Sequence, residues 1–174
     1  MPSSTKTLAA ALLILAGAAS IPASACRVLS KEEAARSRQE ALVRMKAEVL
    51  ALRDEADLVF IGYLSTLTHH DITVDAESSS PTIMRAHHAT FIDPAEIKGK
   101  YPAGMALGFR TNQTRVVVSC QRDIRDSLPG EKDVGQTFLV YAKDGRILRA
   151  NRVPESQLMD GRQEAELLRS GAAD

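Results

Sequence analysis

Residues 58–64, Leu58-Val59-Phe60-Ile61-Gly62-Tyr63-Leu64, are the stretch that decides the fold. The segment is rich in β-branched and aromatic residues and is apolar at nearly every position, so it predicts a strand that is buried rather than half exposed. A glycine inside such a strand, here Gly62, indicates a bulge or a close approach by another part of the chain. At Leu58 the hydrophobic repeat changes from helical spacing to strand spacing.

A long helix is predicted before this strand, over residues 30–57. Ser30 and Glu33 have the spacing of a capping box, in which each residue's side chain accepts from the other's backbone N–H. The apolar residues that follow at spacings of three and four are Leu42, Met45, Val49, Leu52 and Ala56. One apolar stripe of this kind predicts packing on the domain's own sheet. The alternative is a helix that binds a partner or a second copy of the chain.

Further strands are predicted after residue 64 without helices between them. They span residues 84–99, 105–110, 115–120, 136–142 and 147–152. Asp93-Pro94 interrupts the first of these, which runs from 84 to 92 and resumes at 97–99. Asp144-Gly145 suits a type I′ hairpin between the last two strands. Sequential strands with short connections predict antiparallel pairing. The predicted fold is therefore mainly β, a small closed antiparallel barrel of five to six strands over residues 58–153.

The two ends of the chain carry local signals of their own. Asp160 predicts the N-cap of a short C-terminal helix over residues 160–170. At the N-terminus, Lys6 precedes an apolar run, and Ala23-Ser24-Ala25 has the small-residue pattern of signal-peptide cleavage. Residues 1–25 are thus predicted to be a signal peptide, and residues 26–174 one exported domain, periplasmic or secreted. The alternative is a lipobox, in which Cys26 is lipidated and anchors the protein to a membrane.

Composition and motifs exclude several function classes. The chain has 22 Lys and Arg against 22 Asp and Glu; removing residues 1–25, which hold one Lys and no acid, leaves 21 against 22, a net charge of −1. This balance gives no electrostatic reason to expect nucleic acid as a partner. No motif of nucleophilic, zinc-protease or phosphate-loop chemistry occurs. The chain is therefore predicted not to be an enzyme, and no cofactor is predicted.

The order of these elements resembles the netrin-like domain, the OB-type barrel shared with the tissue inhibitors of metalloproteinases, in its bacterial exported form. The residues that carry the resemblance are Cys26, residues 56–62, Phe91 with Ile97-Lys98-Gly99, Cys120, residues 134–142 and residues 144–147. The chain departs from the family at Val28, where a second cysteine is usual, at Asp93, where an apolar residue is expected, and in its longer N-terminal helix.

The resemblance implies an exported binding module for a protein partner, inhibitory or structural in role. In the animal inhibitors, the α-amine and carbonyl of the N-terminal cysteine chelate the zinc of a protease, a role that here would fall to Cys26, with Arg27 entering the specificity pocket. The chain has two cysteines, and an even count in an exported protein also suggests a disulfide between Cys26 and Cys120. The alternative is a free or lipidated Cys26 with Cys120 buried as a small apolar residue.

Two histidine pairs are the remaining candidates for chemistry. If the first two strands form a hairpin that turns near residues 77–79, then His69 and His70 lie near His87 and His88. Neighbouring residues of a strand point to opposite faces, so only one histidine of each pair can join a given site. Two imidazoles with Asp71 nearby would suit Zn or Cu, which makes a periplasmic metal-binding protein an alternative function. The other interpretation is that these histidines are solvated residues at the end of the hairpin.

Overall fold

The computed structural model describes residues 30–74, 76–77, 81–113, 124–153 and 158–171. Within them lie two helices and five strands, in the order α1 (Lys31–Glu55), β1 (Leu58–Val74), β2 (Thr82–Lys98), β3 (Ala106–Asn112), β4 (Thr137–Lys143), β5 (Arg146–Val153) and α2 (Gly161–Ser170). The predicted signal peptide, the strand predicted over residues 115–120, and the candidate residues Cys26, Arg27 and Cys120 lie outside the described residues.

The five strands form one sheet whose hydrogen-bonded order, β1-β2-β3-β5-β4, returns from β4 to β1. The consecutive pairs β1–β2, β2–β3 and β4–β5 are antiparallel, as predicted, and so is β1–β4. The expectation of antiparallel pairing throughout is wrong for β3 and β5, which are parallel and meet only at Gly108 and Arg146. The reason is geometric: β4 runs antiparallel to β1, so the hairpin after β4 sends β5 in the direction of β3.

Gly62 marks both a bulge and a close approach, as the sequence predicted. The β1–β2 register shifts between Ile61 and Tyr63. A Cβ at position 62 would lie 2.9 Å from Cε2 of Phe60 and 3.2 Å from Cβ of Phe91, which is too close for any other residue without movement. The glycine therefore lets the first two strands bend together around the ring.

Two other predicted irregularities are also present. Asp93 has a φ of 51°, and at this point one residue of β1, Gly62, faces two of β2, so Asp93-Pro94 forms a bulge within a continuous strand. The hairpin between β4 and β5 has positive φ at Asp144 (49°) and Gly145 (72°), as a type I′ turn requires.

The ring separates two hydrophobic cores. Inside it lie the buried residues Phe60, Leu64, Ala89, Phe91, Tyr101, Leu107, Phe109, Phe138, Val140, Ala142, Ile147 and Ala150. Outside it, the helices pack on β1 and β4 through Val49, Leu52, Ala56, Val59, Leu139, Tyr141, Met159, Ala165 and Leu168. Alternate residues of β1 and of β4 supply the two cores, as the two-residue repeat of a strand dictates.

The helix α1 is held by hydrogen bonds at both of its ends. Its capping box is present: the Glu33 N–H donates to Ser30 Oγ at 3.2 Å and the Ser30 N–H to Glu33 Oε2 at 2.9 Å. At the other end, Lys98 Nζ donates to the carbonyl oxygens of Arg53 (2.8 Å) and Asp54 (3.1 Å).

The apolar stripe of α1 faces the outer core. Val49 and Leu52 are buried there, and Leu42 and Met45 are partly buried against the same cluster. Residues 31–40 are exposed. Neither helix in the described part of the chain is long and apolar enough to cross a membrane.

Candidate functional site

The four histidines lie on β1 and β2, the two long strands that pair with each other as a hairpin. His69 pairs directly with His87, and their ring centroids are 5.8 Å apart. His70 and His88 are diagonal neighbours, with ring centroids 5.9 Å apart. The predicted proximity is therefore confirmed. Alternation along the strands puts the two pairs on opposite faces.

His69 and His87, which we call the inner pair, belong to a cluster of charged and polar side chains. His69 Nδ1 lies 3.3 Å from Glu131 Oε1. Arg85 donates to both carboxylate oxygens of Asp71, at 2.7 and 3.1 Å, and its NH1 lies 3.6 Å from Glu131 Oε1. The guanidinium holds the pKa of Asp71 below its usual value. Asp71, predicted as a metal ligand, is thus engaged by an arginine.

His87 is the buried member of this cluster, with only 7% of its surface exposed. Its ring stacks on Phe109 at a centroid distance of 4.4 Å, and its Nε2 is 2.8 Å from Thr111 Oγ1. Its Nδ1 has no hydrogen-bond partner among the described residues. Burial lowers the pKa of His87, and the nearby His69 and Arg85 lower it further.

The described ranges do not assemble a complete set of metal ligands. No three His, Cys, Asp or Glu side chains within them lie close enough together to hold a metal ion. Each face offers two imidazoles, from His69 and His87 or from His70 and His88. A metal site at either pair therefore remains a prediction.

A cleft of about 520 Å³ opens in the wall of the ring between β3 and β5, and we call it the β3–β5 cleft. Its cationic and imidazole lining comprises His70, His87, His88, Arg110, Arg125 and Arg146. Its apolar and small lining comprises Ile72, Ala86, Gly108, Phe109, Leu128, Ile147 and Leu148. None of these residues is Asp or Glu, so the cleft favours an anionic group.

The cleft exists because β3 and β5 separate beyond their single contact. The Gly108 N–H donates to the Gly145 carbonyl at 2.9 Å, and no further β3–β5 pair occurs in the described sheet. The adjacent row across β1, β2 and β3 is His70, Ala86 and Arg110, in which Ala86 is small. The small side chain of Ala86 therefore lies between His70 and Arg110.

The arginines of the cleft differ in their partners. Arg125 makes an ion pair with Glu55 at 2.5 Å. Arg110 and Arg146 are exposed on β3 and β5. Sequence reasoning missed both, because single arginines in strands predict only solvent exposure. No local signal could have found them, since only the closure of the ring brings positions 110 and 146 to one cleft.

The described structure therefore places the four histidines in two pairs on opposite faces of the β1–β2 hairpin and adds an arginine-lined cleft. The candidate N-terminal contact, Cys26 and Arg27, lies outside the described residues. No protein-family model, no curated protein and no solved structure matches this chain.

Proposed function

We propose that this chain is an exported, non-catalytic binding module with an OB-type, netrin-like barrel, and that it engages a protein partner through the β3–β5 cleft. The ring of five strands, with β3 parallel to β5, supports the OB-type assignment, because that barrel has five strands and is only partly closed. Fold alone does not give function, so the proposal depends on the cleft.

The observation that carries the proposal is the lining of the cleft. A volume of about 520 Å³ lies in the range of ligand sites, and the lining combines apolar side chains with a few polar ones. Arg110 and Arg146 supply fixed positive charge on two different strands. The chain as a whole is nearly neutral, so this concentration of charge is local.

The test is a fragment screen by two-dimensional NMR on the isotopically labelled mature chain. We expect small anionic fragments to shift the amide signals around Arg110 and Arg146. Gly108→Leu should abolish these shifts by filling the cleft. A Cβ at this position meets only ordinary contacts, 3.8 Å from the His87 carbonyl oxygen and 3.9 Å from that of Gly145, so the variant should fold. Arg162→Gln, an exposed site on α2, is the control. Fragment shifts that survive Gly108→Leu, or that cluster elsewhere, would contradict the proposal.

A further inference from the structure

We infer that the group bound in the β3–β5 cleft is a phosphate monoester, which the partner carries on a phosphorylated serine or threonine side chain. This inference rests on the proposed function and names the chemical group that the same site would take. Its grounds are the closed ends of the cleft, the arrangement of its imidazole and guanidinium groups around two small residues, and the number of donors that they supply.

The cleft is closed at both ends, so it suits a single side chain rather than a further strand. At one end the Gly108 N–H donates to the Gly145 carbonyl. At the other end Ser127 binds the edge of β5: its Oγ donates to the Ala150 carbonyl at 2.9 Å, and the Ala150 N–H donates to the Ser127 carbonyl at 2.7 Å. From Arg146, which pairs with Gly108, to Ala150 the strand spans about 13 Å. A phosphorylated side chain is shorter than this span.

Gly108 leaves space between two of the nitrogen-bearing side chains. It pairs with His88 on one side and with Arg146 on the other, so the three residues form one row across β2, β3 and β5. The sequence neighbours of Gly108, Leu107 and Phe109, belong to the core inside the ring, so this row lies on the outer face. Because position 108 has no side chain, the space between the imidazole and the guanidinium is open to a ligand.

The adjacent row repeats this arrangement around Ala86. Ala86 pairs with His70 on one side and with Arg110 on the other. The two rows are about 7 Å apart along the strands, which is within the reach of an arginine side chain. The rings of His70 and His88 stack across the rows with their centroids 5.9 Å apart. Each row therefore contributes one imidazole and one guanidinium to the same outer surface.

The number of donors and of fixed charges favours a phosphate monoester over a carboxylate. A carboxylate has one charge and two oxygens, which a single arginine matches in a bidentate pair. The cleft presents Arg110 and Arg146 on separate strands, together with two imidazoles that can also donate. No ion pair among the described residues involves either arginine. A phosphate monoester, with nearly two charges and three acceptor oxygens, matches this set.

The test compares matched ligands by NMR chemical-shift titration of the labelled mature chain, at mildly alkaline pH, where a phosphate monoester is almost fully dianionic. A short peptide with one phosphoserine should shift the amide signals of Gly108, Arg110 and Arg146. It should bind about tenfold more tightly than the same peptide with aspartate in place of phosphoserine. The methyl phosphodiester of the phosphopeptide, which has a single charge, should bind like the aspartate peptide.

Variants show whether the two arginines hold the phosphate. Arg110→Gln and Arg146→Gln should each weaken binding of the phosphopeptide by about tenfold, because each removes a charge-assisted hydrogen bond. Both positions are exposed, so neither change should unfold the chain, which the amide spectrum of the free variant checks. Arg162→Gln on α2 is the control and should bind as the wild type does. Unchanged binding in Arg110→Gln and Arg146→Gln would overturn the inference.

The remaining outcomes separate the sources of the phosphate and the two proposals. The phosphopeptide should bind more tightly than inorganic phosphate, because its side chain also meets the apolar residues Leu128 and Ile147 of the lining. Equal or tighter binding of inorganic phosphate or of a sugar phosphate would assign the cleft to a small molecule and overturn the inference. If the aspartate peptide binds as tightly as the phosphopeptide, the inference falls and the proposed function stands. If no anion occupies the cleft, both fall.

Discussion

Arg149 forms a buried bidentate ion pair with Glu164, Nε to Oε1 at 3.1 Å and NH2 to Oε2 at 2.9 Å, which joins strand β5 to helix α2. Glu164 is completely buried and also accepts from the Tyr141 hydroxyl and from Asn151 Nδ2, each at 2.7 Å. Arg149 donates in addition to the Ile124 carbonyl. Burial, followed by the Glu164 charge, raises the pKa of Tyr141. The carboxylate thus has several donors, which is the condition for a charge to remain buried.

Removing one partner of this pair should be costly. Glu164→Ala leaves Arg149 as an unpaired buried charge, so we expect the free energy of unfolding to fall by about 3–5 kcal/mol. Chemical denaturation followed by circular dichroism measures it. Glu166→Ala, at an exposed position on the same helix, should cost little. Similar stabilities for the two variants would show that Glu164 does not anchor α2.

The docking of α1 makes a second prediction. Leu52 is 2% exposed in the outer core, whereas Val43 on the same helix is 59% exposed. Leu52→Asp should therefore cost several kcal/mol, because an unpaired charge replaces a buried apolar side chain. Val43→Asp is the matched control and should melt close to the wild-type temperature. Equal melting temperatures for both variants would mean that the stripe is not buried.

The apolar stripe of α1 and the Arg149–Glu164 ion pair differ in how far the sequence could predict them. The stripe that contains Leu52, the Ser30 cap and the hairpin at Asp144 follow from residues a few positions apart, so local patterns were sufficient. The Arg149–Glu164 pair joins residues on different elements, and the β3–β5 cleft depends on a parallel contact between strands that are not consecutive. Such contacts depend on how the ring closes, which residue spacing does not encode.

The mature N-terminus is a third prediction, made from the sequence alone. We expect the mature protein to start at Cys26, to carry no lipid, and to hold a disulfide between Cys26 and Cys120. Intact mass after expression in a bacterial host with an export pathway, measured with and without reduction and alkylation, reports all three. An intact mass larger by one diacylglycerol group, which indicates a lipid on Cys26, would contradict the prediction. So would two thiols that alkylate without prior reduction.

The burial of His87 makes stability depend on pH. Its pKa is lowered by burial, by His69 and by Arg85, with Glu131 and Asp71 opposing the shift. Since the unfolded chain then binds the proton more readily, the stabilisation is present above the unfolded pKa of about 6.5 and is lost as pH falls below it. Denaturation at several pH values should show that the free energy of unfolding falls more steeply in acid for the wild type than for His87→Phe. That variant keeps an aromatic ring against Phe109. His88→Phe, exposed on the opposite face, should keep the wild-type slope. Parallel slopes for wild type and His87→Phe would refute the assignment.

The last prediction concerns metal binding by the inner histidine pair. His69 and His87 face each other beside Glu131, whereas His70 and His88 share their face with Arg110, which repels a cation. We therefore expect a weak site for Zn²⁺ at His69 and His87, weak because the carboxylate is close only to His69. Calorimetric titration should show binding near neutral pH that is lost in acid, since only neutral imidazole ligates. His69→Ala should abolish the heat and its sequence neighbour His70→Ala should not, because the two side chains lie on opposite faces. Loss in His70→Ala alone would move the site to the outer face, and equal heats in all three proteins would leave the histidines without a metal.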